Sequence, residues 1–240
     1  MREAVMSASL LAAPDSEHIP EREHMRLDSG AARPGAWSPE NFAREQVHGL
    51  VRQVFFSDDA RPVRQVVFSA VERETEVRSL CRRVGEALAR ETIDSVAVLG
   101  GCGRGLQDVD QHFANEPRDS AGTMALHRIA TRVRSNLWLV PAAERDSETA
   151  TTSSLHSYLG ELRREFEYSV VESPPAGESN EATAMAQFAD GIILVLSAHH
   201  TRRATARKIK DAIDGARARL LGTVLIDRVF PIPAGIYRKL

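Results

Sequence analysis

Two buried-strand patterns separated by one helix-length segment constrain this chain more than any other feature. The first, Tyr168-Ser-Val-Val171, ends on a single acid, Glu172, followed by Ser173 and Pro174-Pro175. The second lies within Phe188-Ala-Asp-Gly-Ile-Ile-Leu-Val-Leu-Ser197. Runs that are apolar throughout, rather than alternating, belong to strands covered on both faces. Proline cannot donate to a ladder, so the pair at 174–175 stops the first strand. Strands joined through a helix lie parallel, since an antiparallel pair needs only a tight turn.

The same alternation runs through most of the chain. Ser38-Pro39-Glu40 predicts a helix start, with Ser38 as cap and proline in the first turn. Phe42, Val47, Leu50, Val51 and Val54 then recur at helical spacing, and Asp58 to Pro62 breaks the pattern. Arg64–Ala70 reads as a strand, and Val77, Leu80, Cys81, Val84 and Leu88 form a helical stripe. Ser95–Leu99 reads as a strand, Leu126–Val133 as a short helix and Asn136–Val140 as a strand. Ser153–Phe166 reads as a helix with Leu155, Tyr158, Leu159 and Leu162 on one side. Then follow strand 168–172, a helix near 180–188, strand 191–197, a basic helix 201–219 and strand 221–226. Repeated strand–helix alternation predicts an α/β fold with a parallel sheet covered on both faces.

Residues 1–38 are rich in Pro, Glu, Arg, Ser and Ala with little periodicity, which predicts a disordered arm. The globular domain is expected over 39–230 and a tail over 231–240. The formal net charge of -2 gives no basic surplus for nucleic acid. Cys81 and Cys102 are too few for a disulfide framework or a zinc site. No run of eighteen apolar residues exists, and Ala8–Ala13 is too short for a secretory core, so a cytoplasmic protein is expected.

The chemistry-bearing residues form an ordered set. It comprises Phe166-Glu167-Tyr168 leading into Glu172-Ser-Pro174-Pro175, then Ala189-Asp190-Gly191, Thr201-Arg202-Arg203 and Leu221-Gly222-Thr-Val-Leu225. In this order and spacing the set resembles the nucleotide-binding half of the bacterial tyrosine kinases of capsule and exopolysaccharide synthesis, relatives of the Min/Par ATPases. The resemblance covers roughly 39–230 and is strongest from Phe166 to Val229. It implies a P-loop NTPase-like three-layer sandwich with a mainly parallel sheet, and ATP with magnesium as the family's ligand.

The motifs that would hold that ligand depart from the pattern. Family members resemble Ser-x-x-Pro-Gly-Glu-Gly-Lys-Ser after the first strand, with glycines for close backbone approach to phosphate and a lysine to neutralise it. Here Ser69 is followed by Glu72 for the proline, Arg73 and Thr75 for the glycines, Glu76 for the lysine and Val77 for the hydroxyl. A charge pair about 4 Å apart is worth roughly 4 kcal/mol at an effective dielectric near 20, and Glu76 turns that attraction into repulsion. In the second acidic motif Gly100 and Cys102 replace both acids, and only Arg104 matches. That glycine cluster also lacks the G-x-G-x-x-G spacing of a dinucleotide site, because position 106 is Leu. Glu172 keeps the charge of the magnesium-holding Asp of the third motif, one methylene longer. Asp227 stands near the place of a purine-reading Asn.

The family's tyrosine-rich tail is reduced to Tyr237, since Tyr158 and Tyr168 fall in core elements. The self-association motif Glu-x-x-Arg-x-x-Arg is echoed by Glu45, His48 and Arg52, the last one residue late. An ordinary amphipathic helix with solvated charges explains the same residues. His199-His200 reads as surface, since two adjacent histidines lack a third metal ligand.

The expectation is a catalytically degenerate kinase-like protein with no cofactor, acting on protein partners of a polysaccharide synthesis and export complex. A membrane chain-length regulator is a candidate partner and would recruit the chain to the inner membrane; homo-oligomerisation is also open. Two alternatives stand beside it. One is a divergent ATP-dependent tyrosine kinase or ATPase using Glu172 for magnesium. The other is a Min/Par-like positioning module that dimerises without nucleotide.

Overall fold

A computed structural model describes residues 39–57, 61–100, 126–141, 152–198 and 200–227. The N-terminal arm, Cys102, Arg104, His199 and the tail with Tyr237 lie outside the described residues.

The strands are β1 (Gln65–Ala70), β2 (Val96–Gly100), β3 (Thr131–Arg134), β4 (Leu137–Pro141), β5 (Tyr168–Glu172), β6 (Gly191–Ser197) and β7 (Leu220–Ile226). They form one sheet in the order β3-β4-β2-β5-β1-β6-β7. Every neighbouring pair is parallel except β3 with β4. The helices are α1 (Pro39–Phe55), α2 (Arg78–Glu91), α3 (Leu126–Ile129), α4 (Thr152–Glu165), α5 (Glu181–Phe188) and α6 (Arg203–Gly215).

The period-2 alternation of strands sorts the apolar residues into two cores. Val66, Phe68, Val98, Val170, Ile193 and Val195 face α1 and α2. Val67, Ala97, Leu99, Val171, Ile192 and Leu194 face α3 to α6. The result is the three-layer α/β sandwich that the strand–helix alternation predicts. α2 lies unusually close to the sheet, because a Cβ on Gly85 would come within 2.1 Å of Val98 Cγ2.

The sequence reading is wrong at one place and long at another. Residues 126–133 are not one helix: α3 stops at Ile129, and β3 runs antiparallel to β4 along the sheet edge. Only Leu126 of α3 is fully buried, so its apolar face is too small to sustain more turns. Its first N–H groups are taken by Glu165, which accepts from Leu126 and His127 at 2.9 and 2.8 Å. Thr131-Arg-Val-Arg134 then runs as an edge strand exposed at every position. The turn is fixed by Asn136, whose Nδ2 donates to the carbonyls of Ala89, Thr92 and Asp94. The basic helix is also shorter than 201–219. It starts at Arg203, after Arg202 with its extended backbone, and it ends at Gly215, two residues before Arg217 turns to φ 57.

β1 and β5 are adjacent, yet the chain leaves them toward opposite faces. α2 follows β1 on one face and α5 follows β5 on the other. In open α/β sheets such a switch point opens a crevice at the carboxyl ends of the strands. Glu72, Glu76 and Glu172 all fall there.

Candidate functional site

The loop from Val71 to Val77 joins β1 to α2, and its own residues fill the switch point. Val71 is 1% exposed and its N–H donates to the carbonyl of Val195 at 3.1 Å. Thr75, at a glycine position of the resembled loop, is 7% exposed and donates from its N–H to the Glu72 carbonyl at 3.3 Å. A buried β-branched side chain stands where a phosphate-cradling loop needs a bare backbone.

Two of the three carboxylates of this loop, Glu72 and Glu76, are engaged. Glu76 Oε1 accepts the backbone N–H of Ser79, in the first turn of α2, at 3.3 Å. A helix N-terminus attracts anions through its free N–H groups and its dipole, and here the chain supplies the anion itself. Glu72 Oε2 accepts from the Thr201 hydroxyl at 2.5 Å. That hydroxyl also accepts the N–H of Ser197 at 3.0 Å. Ser197 in turn donates its hydroxyl to Asp227 at 2.8 Å, where Asp227 turns the chain at φ 57.

The segment after β5 straps the end of β1. Ser173 donates to the Phe68 carbonyl, Ala176 to Ala70 and Gly177 to Val71, at 3.0, 2.8 and 3.2 Å. The Ser69 hydroxyl donates to the Pro174 carbonyl at 2.9 Å. The fit leaves no room for a side chain at Gly177, whose Cβ would meet the Val71 carbonyl oxygen at 2.3 Å. Arg73 and Glu178 pair across the two loops at 2.9 Å.

Glu172 ends β5 opposite Phe68, with its side chain 16% exposed. Arg78 Nε lies 3.6 Å from Glu172 Oε2. Cys81, one turn further along α2, is fully buried; burial and then the Glu172 charge push its thiol well above the usual range. Glu172 therefore faces α2, where it meets an arginine. Among the described residues no group of three His, Cys, Asp or Glu could hold a metal ion.

The remaining sequence-singled residues are scattered. Val77 is the N-cap of α2 and is 5% exposed. Gly100 ends β2 beside Pro141 of β4. Glu45 is exposed on α1. His48 and Arg52 reach Glu91 at the end of α2, at 3.2 and 3.0 Å. The Arg52 hydrogen bond, followed by that of His48, holds the Glu91 carboxyl below its usual range. His200 lies in the exposed turn after β6.

Sequence reasoning missed the partners. Arg78, Glu178 and Glu91 carry no motif, and Thr201, part of the Thr-Arg-Arg motif, shows its partner Glu72 only once the loops converge. It also left Asp190 without a role. Asp190 Oδ2 accepts the N–H groups of Arg64 and Gln65, both at 2.8 Å, and Oδ1 accepts from Arg163 at 2.8 Å. The Ala-Asp-Gly motif thus clamps the starts of β1 and β6 to α4.

With this geometry in view, the chain can be set beside known proteins. No protein-family profile matches it. It is 18% identical over 198 residues to CapB of Staphylococcus aureus, a protein assigned as a tyrosine-protein kinase, covering 78% of this chain and 85% of that one. The chimerical protein CapA2B2 superposes with a TM-score of 0.62 at 17% identity, covering 83% of this chain and 88% of that chain. The kinase domain of the Escherichia coli tyrosine kinase ETK gives 0.61 at 12% identity, covering 80% and 79%. MinD of Aquifex aeolicus gives 0.52 at 16% identity over 70% of each chain.

The fold is therefore the P-loop NTPase-like α/β sandwich, the fold also of MinD and of a ParA-family ATPase. The chain's likeness in sequence and in fold is to the bacterial tyrosine kinases.

Proposed function

We propose that this chain is a catalytically degenerate relative of the bacterial tyrosine kinases, working as a cytoplasmic regulator or assembly partner in exopolysaccharide synthesis and export. One observation carries the reading. Glu76, at the place of the phosphate-neutralising lysine, puts a carboxylate on the α2 N-terminus. A triphosphate there meets repulsion, and the buried Thr75 side chain bars the backbone from approaching it. The acid that would hold magnesium, Glu172, is instead 3.6 Å from Arg78. These residues do not fit Mg-ATP, so no phosphoryl-transfer step is assigned to them. Protein partners remain as the ligands, with a membrane chain-length regulator the candidate that would bring the chain to the inner membrane.

Calorimetry and thermal melting with Mg-ATP and Mg-ADP test the core of this reading. Ligand at about a hundred times its dissociation constant stabilises a fold by about 2.7 kcal/mol. For a domain of this size that is a rise of roughly 5–11 °C in the melting midpoint. The expected result is no heat of binding and no rise at millimolar nucleotide. A rise that vanishes in Glu172→Ala would replace this reading with an active ATP-dependent enzyme. The cellular role has its own test: deleting the gene is expected to alter surface polysaccharide, and an unchanged surface would count against it.

A further inference from the structure

The start of α6 breaks the local rules of helix stability, and no other contact in the described structure compensates. Arg202 is the N-cap and makes no side-chain capping bond, and the first turn holds no acid. Thr201 is the nearest residue of a capping type, but its hydroxyl is committed to Glu72 and Ser197. Arg202, Arg203, Arg207 and Lys208 are all exposed. Cations near a helix N-terminus oppose the dipole, and Arg203 and Arg207 add a like-charge i,i+4 pair. Asp211 lies a turn beyond Arg207, yet none of the four cations carries an ion pair among the described residues; the pair on this helix is Lys210–Asp214. The whole chain is net acidic at -2, so this concentration does not reflect a generally basic protein. Rules broken without local compensation mark positions kept for function.

We propose that the exposed basic face formed by Arg202, Arg203, Arg207 and Lys208 at the start of α6 docks a cluster of carboxylates on a partner protein. Charge complementarity selects an acidic partner, and the rest of the helix selects a protein. The apolar residues of α6, Ile209 and Ile213, are buried in the core. The exposed large apolar residues among the described ones, Phe56, Ile93 and Val133, lie outside α6. A membrane-surface helix needs apolar anchors beside its cations, and α6 has none exposed. The four cations span about 9 Å of helix, and Asp211 and Asp214 follow at once. That footprint suits a short acidic motif and is too small and too mixed in sign to track a nucleic-acid backbone. The inference goes beyond the proposed function, since it does not depend on whether nucleotide binds.

The test uses the full chain and a fluorescent octaglutamate peptide at low salt, with phosphatidylserine-containing vesicles and a DNA duplex as competing probes. Saturable peptide binding is expected, weakening as salt is raised. Arg203→Glu with Arg207→Glu should weaken it by about tenfold or more, since two attractions become repulsions. Arg203→Lys with Arg207→Lys should retain it. Arg202→Asp should weaken binding yet raise the melting midpoint by ~2–4 °C, by supplying the missing cap. Loss of binding together with a gain in stability cannot come from unfolding. Absence of peptide binding, binding untouched by the charge reversals, or tighter reversal-sensitive binding to vesicles or DNA would each overturn the proposal.

Discussion

Phe166→Ala is expected to destabilise the fold by about 3–5 kcal/mol, the usual range for deleting a buried aromatic. Phe166 is 2% exposed and sits between the end of α4 and the start of β5. Its ring packs against His127 at 4.2 Å and Trp138 at 5.7 Å between centroids. It therefore joins the central sheet to the α3–β3–β4 edge, where Leu126, Leu137 and Val140 are also buried but β3 is exposed along its whole length. A cavity there should be felt twice. The melting midpoint should fall by on the order of 10 °C. Amide exchange in β3 and β4 should accelerate more than in β1 or β6, because the edge loses its anchor first. A fall of only ~2 °C would mean that the edge repacks around the hole and that Phe166 is not its anchor.

Asp190→Ala is the second large effect, expected at about 2–4 kcal/mol. One carboxylate oxygen holds two strand-start N–H groups at 2.8 Å, and the side chain is only 18% exposed. Removing it takes the acceptor from both donors, and the part-buried Gln65 N–H is the one that water replaces least well. Asp190→Asn separates the contributions. Its carbonyl oxygen can keep the two N–H bonds, while the Arg163 ion pair is lost. That pair involves an arginine 42% exposed, so its share should be about 1 kcal/mol or less. Denaturant titration of both variants gives the ranking. Equal losses for Ala and Asn would move the credit from the amides to the ion pair.

Much of this fold is written in runs of apolar residues. β5 and β6 have the expected bounds, because a strand buried on both faces needs every position apolar or small. The edge is where the reading fails. Leu126 and Ile129 offer helical spacing, but Thr131-Arg-Val-Arg134 is a strand only because β4 lies beside it. That is a tertiary cause, invisible to a local pattern. The site divides in the same way. Motif positions are legible by spacing, so on the resemblance Glu76 stands at the expected place of a lysine and Glu172 at that of an aspartate. What each carboxylate does instead depends on Ser79, Arg78 and Thr201, and Thr201 reaches Glu72 from another loop. The roles of Glu45, His48 and Arg52 as a self-association motif remain a proposal; in the monomer two of them tie α1 to α2 through Glu91.

The carboxylate of Glu76 sits three residues from the amide that it holds. A diffusible anion leaves a helix end when its concentration falls, whereas a tethered one is always present at the same local concentration. On the proposed reading, the carboxyl edge of the sheet keeps one shape whatever the energy state of the cell. Such a protein has no timer and no empty form. On that reading, what a cell can still adjust is how much of the protein it makes and which partner the protein meets.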